Sequence, residues 1–166
     1  MESDLIVNNQ PKKILIIRAS SIGDVLLTTP IIKILREVYP QAHLTYLVED
    51  ASKDMILDNP YLDKTIVFNK GKLKRIRKEE GMIAALRFVG KTIKEIKANN
   101  FDVVIDLHSI FRTTLFSYFT KASKKIGIKK QLLSFIYTDL VEERTELHKT
   151  DEYLTLLAPL GIEIDD

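Results

Sequence analysis

The chain has 166 residues, 45% of them hydrophobic and 29% charged, with a formal net charge of +2. That length suits one domain with a substantial core and is too short for two full α/β domains. The absence of cysteine excludes disulfides, thiolate catalysis and cysteine zinc sites, no apolar run approaches the roughly 20 residues that span a bilayer, and the small net charge gives no ground for nucleic-acid binding.

Residues 1–12 read as a flexible lead-in without the basic and apolar segments of a secretion signal. Ile14 to Ile17 then form a continuous apolar block, the pattern of a strand buried on both faces of a parallel sheet. Ala19, Ser20, Ser21 and Gly23 end it. From Asp24 the residues Val25, Leu26, Ile31, Ile32, Ile34 and Leu35 recur at helical spacing, and Pro40 closes that helix. In open α/β sheets ligands bind beyond the carboxyl ends of strands, so this turn is the first place to look for a site.

His43–Val48 and Asp63–Phe68 read as the second and third strands, separated by a short helical or irregular piece ending near Asn59-Pro60. The run Lys70–Lys78, KGKLKRIRK, follows. Such a run is a solvated face or loop by default; near an anionic membrane its Lys72, Lys74, Arg75, Arg77 and Lys78 would attract the surface, and without interleaved aromatics it does not suit nucleic acid. A helix over about Met82–Ala98 carries Ile83, Leu86, Val89, Ile93 and Ile96 on one face. Phe101–Leu107 is the fourth strand, followed by a helix with Phe111, Leu115, Phe116 and Phe119; Lys125–Ile128 is a fifth. No element is assigned over 129–145, and His148–Leu160 is a last helix stopped by Gly161. Strands alternating with helices predict an α/β fold, a Rossmann-like doubly wound, mostly parallel sheet.

Three stretches in the right order, ILIIRASSIGDVLLTTPIIKILREVYPQAHLTYLVED, DLHSIFRTT (Asp106–Thr114) and HKTDEYLTLLAPLGI (His148–Ile162), resemble the ADP-heptose:lipopolysaccharide heptosyltransferases, glycosyltransferase family 9, of the two-domain GT-B fold. The resemblance implies that residues 13–162 are the acceptor-binding N-terminal domain, that 163–166 begin an interdomain linker, and that the C-terminal donor domain is missing, leaving this chain inactive alone. It implies transfer from an ADP-sugar to a lipopolysaccharide core or related glycolipid with inversion, without a metal or other cofactor, in the cytoplasm or at the inner face of its membrane. The competing readings are a non-catalytic Rossmann-like module binding a glycan or nucleotide, and an interaction domain pairing with a separate donor-domain chain.

Within that resemblance Asp24 is the general base. On the residues alone a helix N-cap is the favoured reading, a role that lowers basicity because donated N–H groups stabilise the charged form. Ser20, Ser21 and Gly23 lack both the Gly-x-Gly-x-x-Gly and the Walker A patterns, so they form a tight turn that lets the acceptor approach the backbone rather than a nucleotide loop. Arg18 and Arg112 converge on an anionic acceptor, for which guanidinium forks are suited, or form structural ion pairs. Asp106 orients Arg112 or His108, or is a strand-end acid. His108 stands where many members of the family carry Gln. His108 and His148 have no third partner at ligand spacing, which argues against a metal.

Overall fold

A computed structural model describes residues 10–129 and 133–163. Most of the expected lead-in and of the expected linker lies outside the described residues. Six strands, β1 (Lys13–Ile17), β2 (His43–Glu49), β3 (Lys64–Phe68), β4 (Val103–Asp106), β5 (Lys124–Ile128) and β6 (Asp139–Val141), form one sheet in the order β3-β2-β1-β4-β5-β6, every pair parallel. The apolar block of β1 is the reason it lies at the centre: Ile14 and Ile16 point into one core and Leu15 and Ile17 into the other, all fully buried. A doubly wound α/β fold is therefore the observed architecture.

Helices α1 (Ile22–Leu27), α2 (Thr29–Val38) and α6 (Lys149–Leu154) cover the first face through Val25, Ile31, Ile32, Leu35 and Tyr153. Helices α3 (Lys70–Glu79), α4 (Met82–Asn99) and α5 (Phe111–Phe119) cover the second through Leu73, Phe88, Ile96 and Phe116. The chain leaves β1 for one face and β4 for the other. Between these neighbours lies the switch point of the sheet, the position where open α/β sheets hold their ligands.

Several expectations change. The helix expected from Asp24 onward is two helices, broken at Thr28, whose buried hydroxyl donates to the Val25 carbonyl and pairs with Tyr46 Oη at 2.7 Å. Pro30 explains the break, because it has no N–H for the Leu26 carbonyl and is placed in the first turn of α2, where that loss costs nothing. The basic run is a ten-residue helix with Asn69 as its cap. In α4 the first turns do not use the expected stripe: Ile83 and Leu86 are exposed, and Ala85 and Ile96 are the buried residues. The buried face of α5 is Thr113, Thr114, Phe116 and Ser117, with Phe111 exposed.

The unassigned stretch 129–145 supplies a short 3-10 turn (Ser134–Ile136) and the edge strand β6; residues 130–132 are outside the described residues. Tyr137 anchors it by laying its ring where Gly127 has no side chain, with its hydroxyl on Asp106 Oδ2 at 2.7 Å and Thr114 at 2.8 Å. The last helix is α6 followed by a 3-10 segment, Thr155–Leu160, containing Pro159 and stopped by Gly161 at φ 74°.

Candidate functional site

At the end of β1 the chain turns through Arg18-Ala19-Ser20-Ser21 into α1. Ser21 is the N-cap, and Asp24 occupies the third helical position, so the expected N-cap role of Asp24 is corrected to the return arm of a capping box. Its Oδ2 accepts from the Ser21 N–H at 3.3 Å and the Ser21 hydroxyl at 3.0 Å, and pairs with Arg18 Nη2 at 2.6 Å. Among the described residues its Oδ1 accepts from the Tyr153 hydroxyl alone, at 3.2 Å. Three donors thus crowd one oxygen while the other keeps acceptor capacity, and the side chain remains partly open to solvent.

Burial pushes the Asp24 carboxyl up, but the Arg18 hydrogen bond, the Ser21 backbone N–H, the Arg18 charge and the Ser21 hydroxyl together hold it at about 2. It is ionised throughout the neutral range. Tyr153 shifts the other way: burial, opposed by Arg18 and reinforced by the Asp24 charge, pushes its phenol up to about 12 and keeps it a donor.

Arg18 itself is buried. It crosses the switch point by donating Nη1 to the Leu107 carbonyl beyond β4 at 2.9 Å, and it stacks over the Tyr153 ring, 5.2 Å from the centroid. Strands β1 and β4 and helices α1 and α6 therefore converge on one carboxylate. Tyr153 carries no signal of its own in the sequence beyond its place on the apolar face of the last helix.

Arg112 does not join Arg18. It pairs with Glu49, the last residue of β2, which is only 3% exposed and is also 3.5 Å from Lys70 Nζ. The guanidinium lies 5.6 Å from the Phe68 ring centroid, and burial lowers its pKa. Each arginine is thus held in an acid–arginine pair at the carboxyl edge, the ion-pair alternative of the sequence reading. In the sequence Glu49 reads as the polar end of a strand. A lone acid beside an apolar block is its only signal.

Asp106 is fully buried and reaches neither Arg112 nor solvent. It accepts from the His108 and Ser109 N–H groups at 3.0 and 2.9 Å and from the Tyr137 and Ser117 hydroxyls. Burial raises its pKa, against the pull of these donors. These contacts tie the β4 turn together and orient the backbone of His108. His148 caps α6 through Nδ1, which accepts from the Thr150 N–H at 3.4 Å. Among the described residues no cluster of three or more His, Asp or Glu has the arrangement of a metal site.

A groove of about 600 Å³ runs beside this edge, lined by Ser20, Ser21, Gly23, Glu49, Lys70 and Lys74 among others. Small residues share the lining with Lys70 and Lys74 and with the acids Glu49 and Asp50, so a polyhydroxylated ligand would find both donors and acceptors and a close approach to the backbone.

The family model described as "Glycosyltransferase family 9 (heptosyltransferase)" matches residues 89–166. Lipopolysaccharide heptosyltransferase 3 of Escherichia coli K12 is 30% identical over 150 residues, covering 84% of this chain and 40% of that protein. The family 9 glycosyl transferase of Veillonella parvula superposes with a TM-score of 0.77 at 28% identity over 92% of this chain and 42% of its own. The chain is similar to glycosyltransferase family 9, by that model over residues 89–166 and by these relatives over most of its own length. It spans less than half the length of these relatives. A structure of the E. coli heptosyltransferase WaaC with ADP-2-deoxy-2-fluoro heptose shares the fold, with a TM-score of 0.78 at 21% identity over 91% of this chain and 49% of that one.

Proposed function

We propose that this chain is the acceptor-side domain of a heptosyltransferase-like enzyme that moves a sugar from an ADP-sugar to a lipopolysaccharide core acceptor, with inversion, at the cytoplasmic face of the membrane. The observation that carries the reading is the Asp24 carboxylate, held at the switch point by Arg18, Ser21 and Tyr153 with one lone pair of Oδ1 uncommitted.

In this reading the acceptor lies along the groove and reaches past Ser21 and Gly23, which line it, to set an alcohol against the neighbouring Asp24 Oδ1. As the alcohol oxygen bonds to the anomeric carbon, its proton passes to Oδ1 and the bond to the ADP oxygen breaks on the opposite face, which inverts the centre. A carboxylate at about 2 is fully ionised and a weak base. An acceptor phosphate or carboxylate that drew Arg18 Nη2 away would raise the basicity of Asp24 as the substrate docked. Ser20, Ser21 and Gly23 frame the acceptor, and Arg112 and Lys70, both fixed by Glu49, supply positive charge behind it. The donor is bound by a second domain, which the described residues do not include.

Titrating the isotopically labelled chain with a phosphorylated lipopolysaccharide core oligosaccharide tests this by NMR. Amide shifts are expected at Ser20, Ser21, Gly23 and Asp24. Saturable binding that leaves these amides unmoved would place the acceptor elsewhere.

A further inference from the structure

We propose that the α3–α4 hairpin is a membrane-docking surface, in which the cations of α3 meet anionic lipid headgroups and Met82, Ile83 and Leu86 at the start of α4 enter the boundary between headgroups and acyl chains. The charge is concentrated there: from Lys70 to Lys91 eight lysines and arginines accompany two glutamates, a surplus of six in a chain whose total is +2. Lys74, Arg75, Arg77 and Lys78 are exposed and have no acidic partner among the described residues.

Beside them the apolar residues Met82, Ile83 and Leu86 are 53%, 69% and 63% exposed. A soluble helix hides such residues in its core-facing stripe; here the stripe of α4 begins only at Ala85 and Phe88. Apolar side chains bordered by unpaired cations are the composition of an interfacial helix, and an anionic bilayer complements both halves of it.

The geometry aims this tip. Phe88 packs on Phe68, the last residue of β3, with 6.1 Å between ring centroids, while the far end of α4 reaches the start of β1, where Lys13 Nζ donates to the Asn99 carbonyl. Met82 precedes Phe88 by six residues, which at 1.5 Å per residue carries the tip about 9 Å past the carboxyl end of β3. That is the edge that carries Asp24. Lys70 and Lys74 of α3 also line the groove, so the docking surface runs into it without a break. The inference goes beyond the assignment of Asp24 and does not depend on it, since it rests on the hairpin alone.

The test is vesicle co-sedimentation of the full 166-residue chain with phosphatidylglycerol–phosphatidylethanolamine or pure phosphatidylcholine vesicles, compared with Arg75→Glu/Arg77→Glu and Ile83→Asp/Leu86→Asp. All four positions are exposed, and unchanged circular dichroism and thermal midpoints establish folding. Anionic vesicles are expected to bind the parent, with affinity falling roughly fivefold per basic residue removed and further on reversal. The apolar variant is expected to keep salt-sensitive binding and lose the fraction that survives high salt. Because the chain has no tryptophan, Leu86→Trp gives a single reporter whose emission is expected to shift to the blue on anionic vesicles. Equal binding to phosphatidylcholine, unshifted emission, tighter binding to a single-stranded oligonucleotide than to vesicles, or self-association abolished by Ile83→Asp would each overturn the proposal. Loss of acceptor shifts at Asp24 with vesicle binding intact would overturn the proposed function and leave this inference standing.

Discussion

Arg18 Nη2 lies 2.6 Å from Asp24 Oδ2, and the same guanidinium donates to the Leu107 carbonyl on the far side of the switch point. One arginine therefore sets both the place of the carboxylate and its weakness as a base. Arg18→Met removes the charge and both donors. The Asp24 pKa, followed by carboxyl-carbon NMR, is expected to rise from about 2 toward or above the ordinary carboxylate range, because burial then acts with less opposition. An unmoved value would show that Ser21 alone holds it down.

The depressed pKa of Asp24 has a consequence for stability. A carboxyl lowered from 3.8 to about 2 on folding contributes stability that is fully present above the unfolded value and lost as pH falls through the folded one. The stability gap between the parent and Asp24→Ala, measured by urea unfolding, is expected to stay constant from neutral pH to about pH 5 and to close between about pH 4 and about pH 2. Solvent screening and the partial exposure of the site hold that gap to about 1 kcal/mol. A gap that widens as pH falls would reverse the sign of the linkage.

Glu49 anchors Arg112 and Lys70 from a nearly inaccessible position. Glu49→Gln removes the charge that both cations share and leaves the half-buried guanidinium uncompensated. The expected cost is about 1–3 kcal/mol by urea unfolding, below the range for a wholly buried pair because the partners reach solvent. Glu49→Gln/Arg112→Met, which removes the stranded cation as well, is expected to recover part of it.

At Gly127 an added Cβ would lie 2.5–2.7 Å from three atoms of the Tyr137 ring. That ring is fixed at its hydroxyl by Asp106 and Thr114, so it cannot swing aside without breaking both hydrogen bonds. Gly127→Ala is expected to destabilise by about 1–3 kcal/mol, the usual range for overpacking. Gly127→Ala/Tyr137→Leu, which frees the space, is expected to lose less than the two single costs summed.

The sheet was legible because its central strands are unbroken apolar blocks. Ile14–Ile17 and Val103–Ile105 need two covered faces, and short alternating elements then allow little besides parallel winding. β6 was not legible: three residues at an edge carry no periodicity, and Tyr137, which fixes the segment, does so through a glycine 10 positions away in the chain. In the site, Asp24 and Arg18 could be picked out because a turn after a central strand is a privileged place. Their partners could not. Tyr153 is 129 residues from Asp24, and the Glu49–Arg112 pair spans 63, separations that only the sheet order closes. Arg18 and Arg112 read alike in sequence and differ in the acid each meets, Asp24 in the first turn of α1 and Glu49 at the end of β2.

The central claim is that Asp24 takes the acceptor proton. Its most direct test is turnover by the chain joined to a donor-side domain, with saturating ADP-sugar and lipopolysaccharide core acceptor, comparing the parent with Asp24→Asn. Asparagine preserves much of the capping interaction with Ser21 and cannot accept the proton, so a fall in kcat of about 10²–10⁴-fold with little change in KM is predicted. A kcat within a few-fold of the parent would contradict the assignment and leave Asp24 a capping residue.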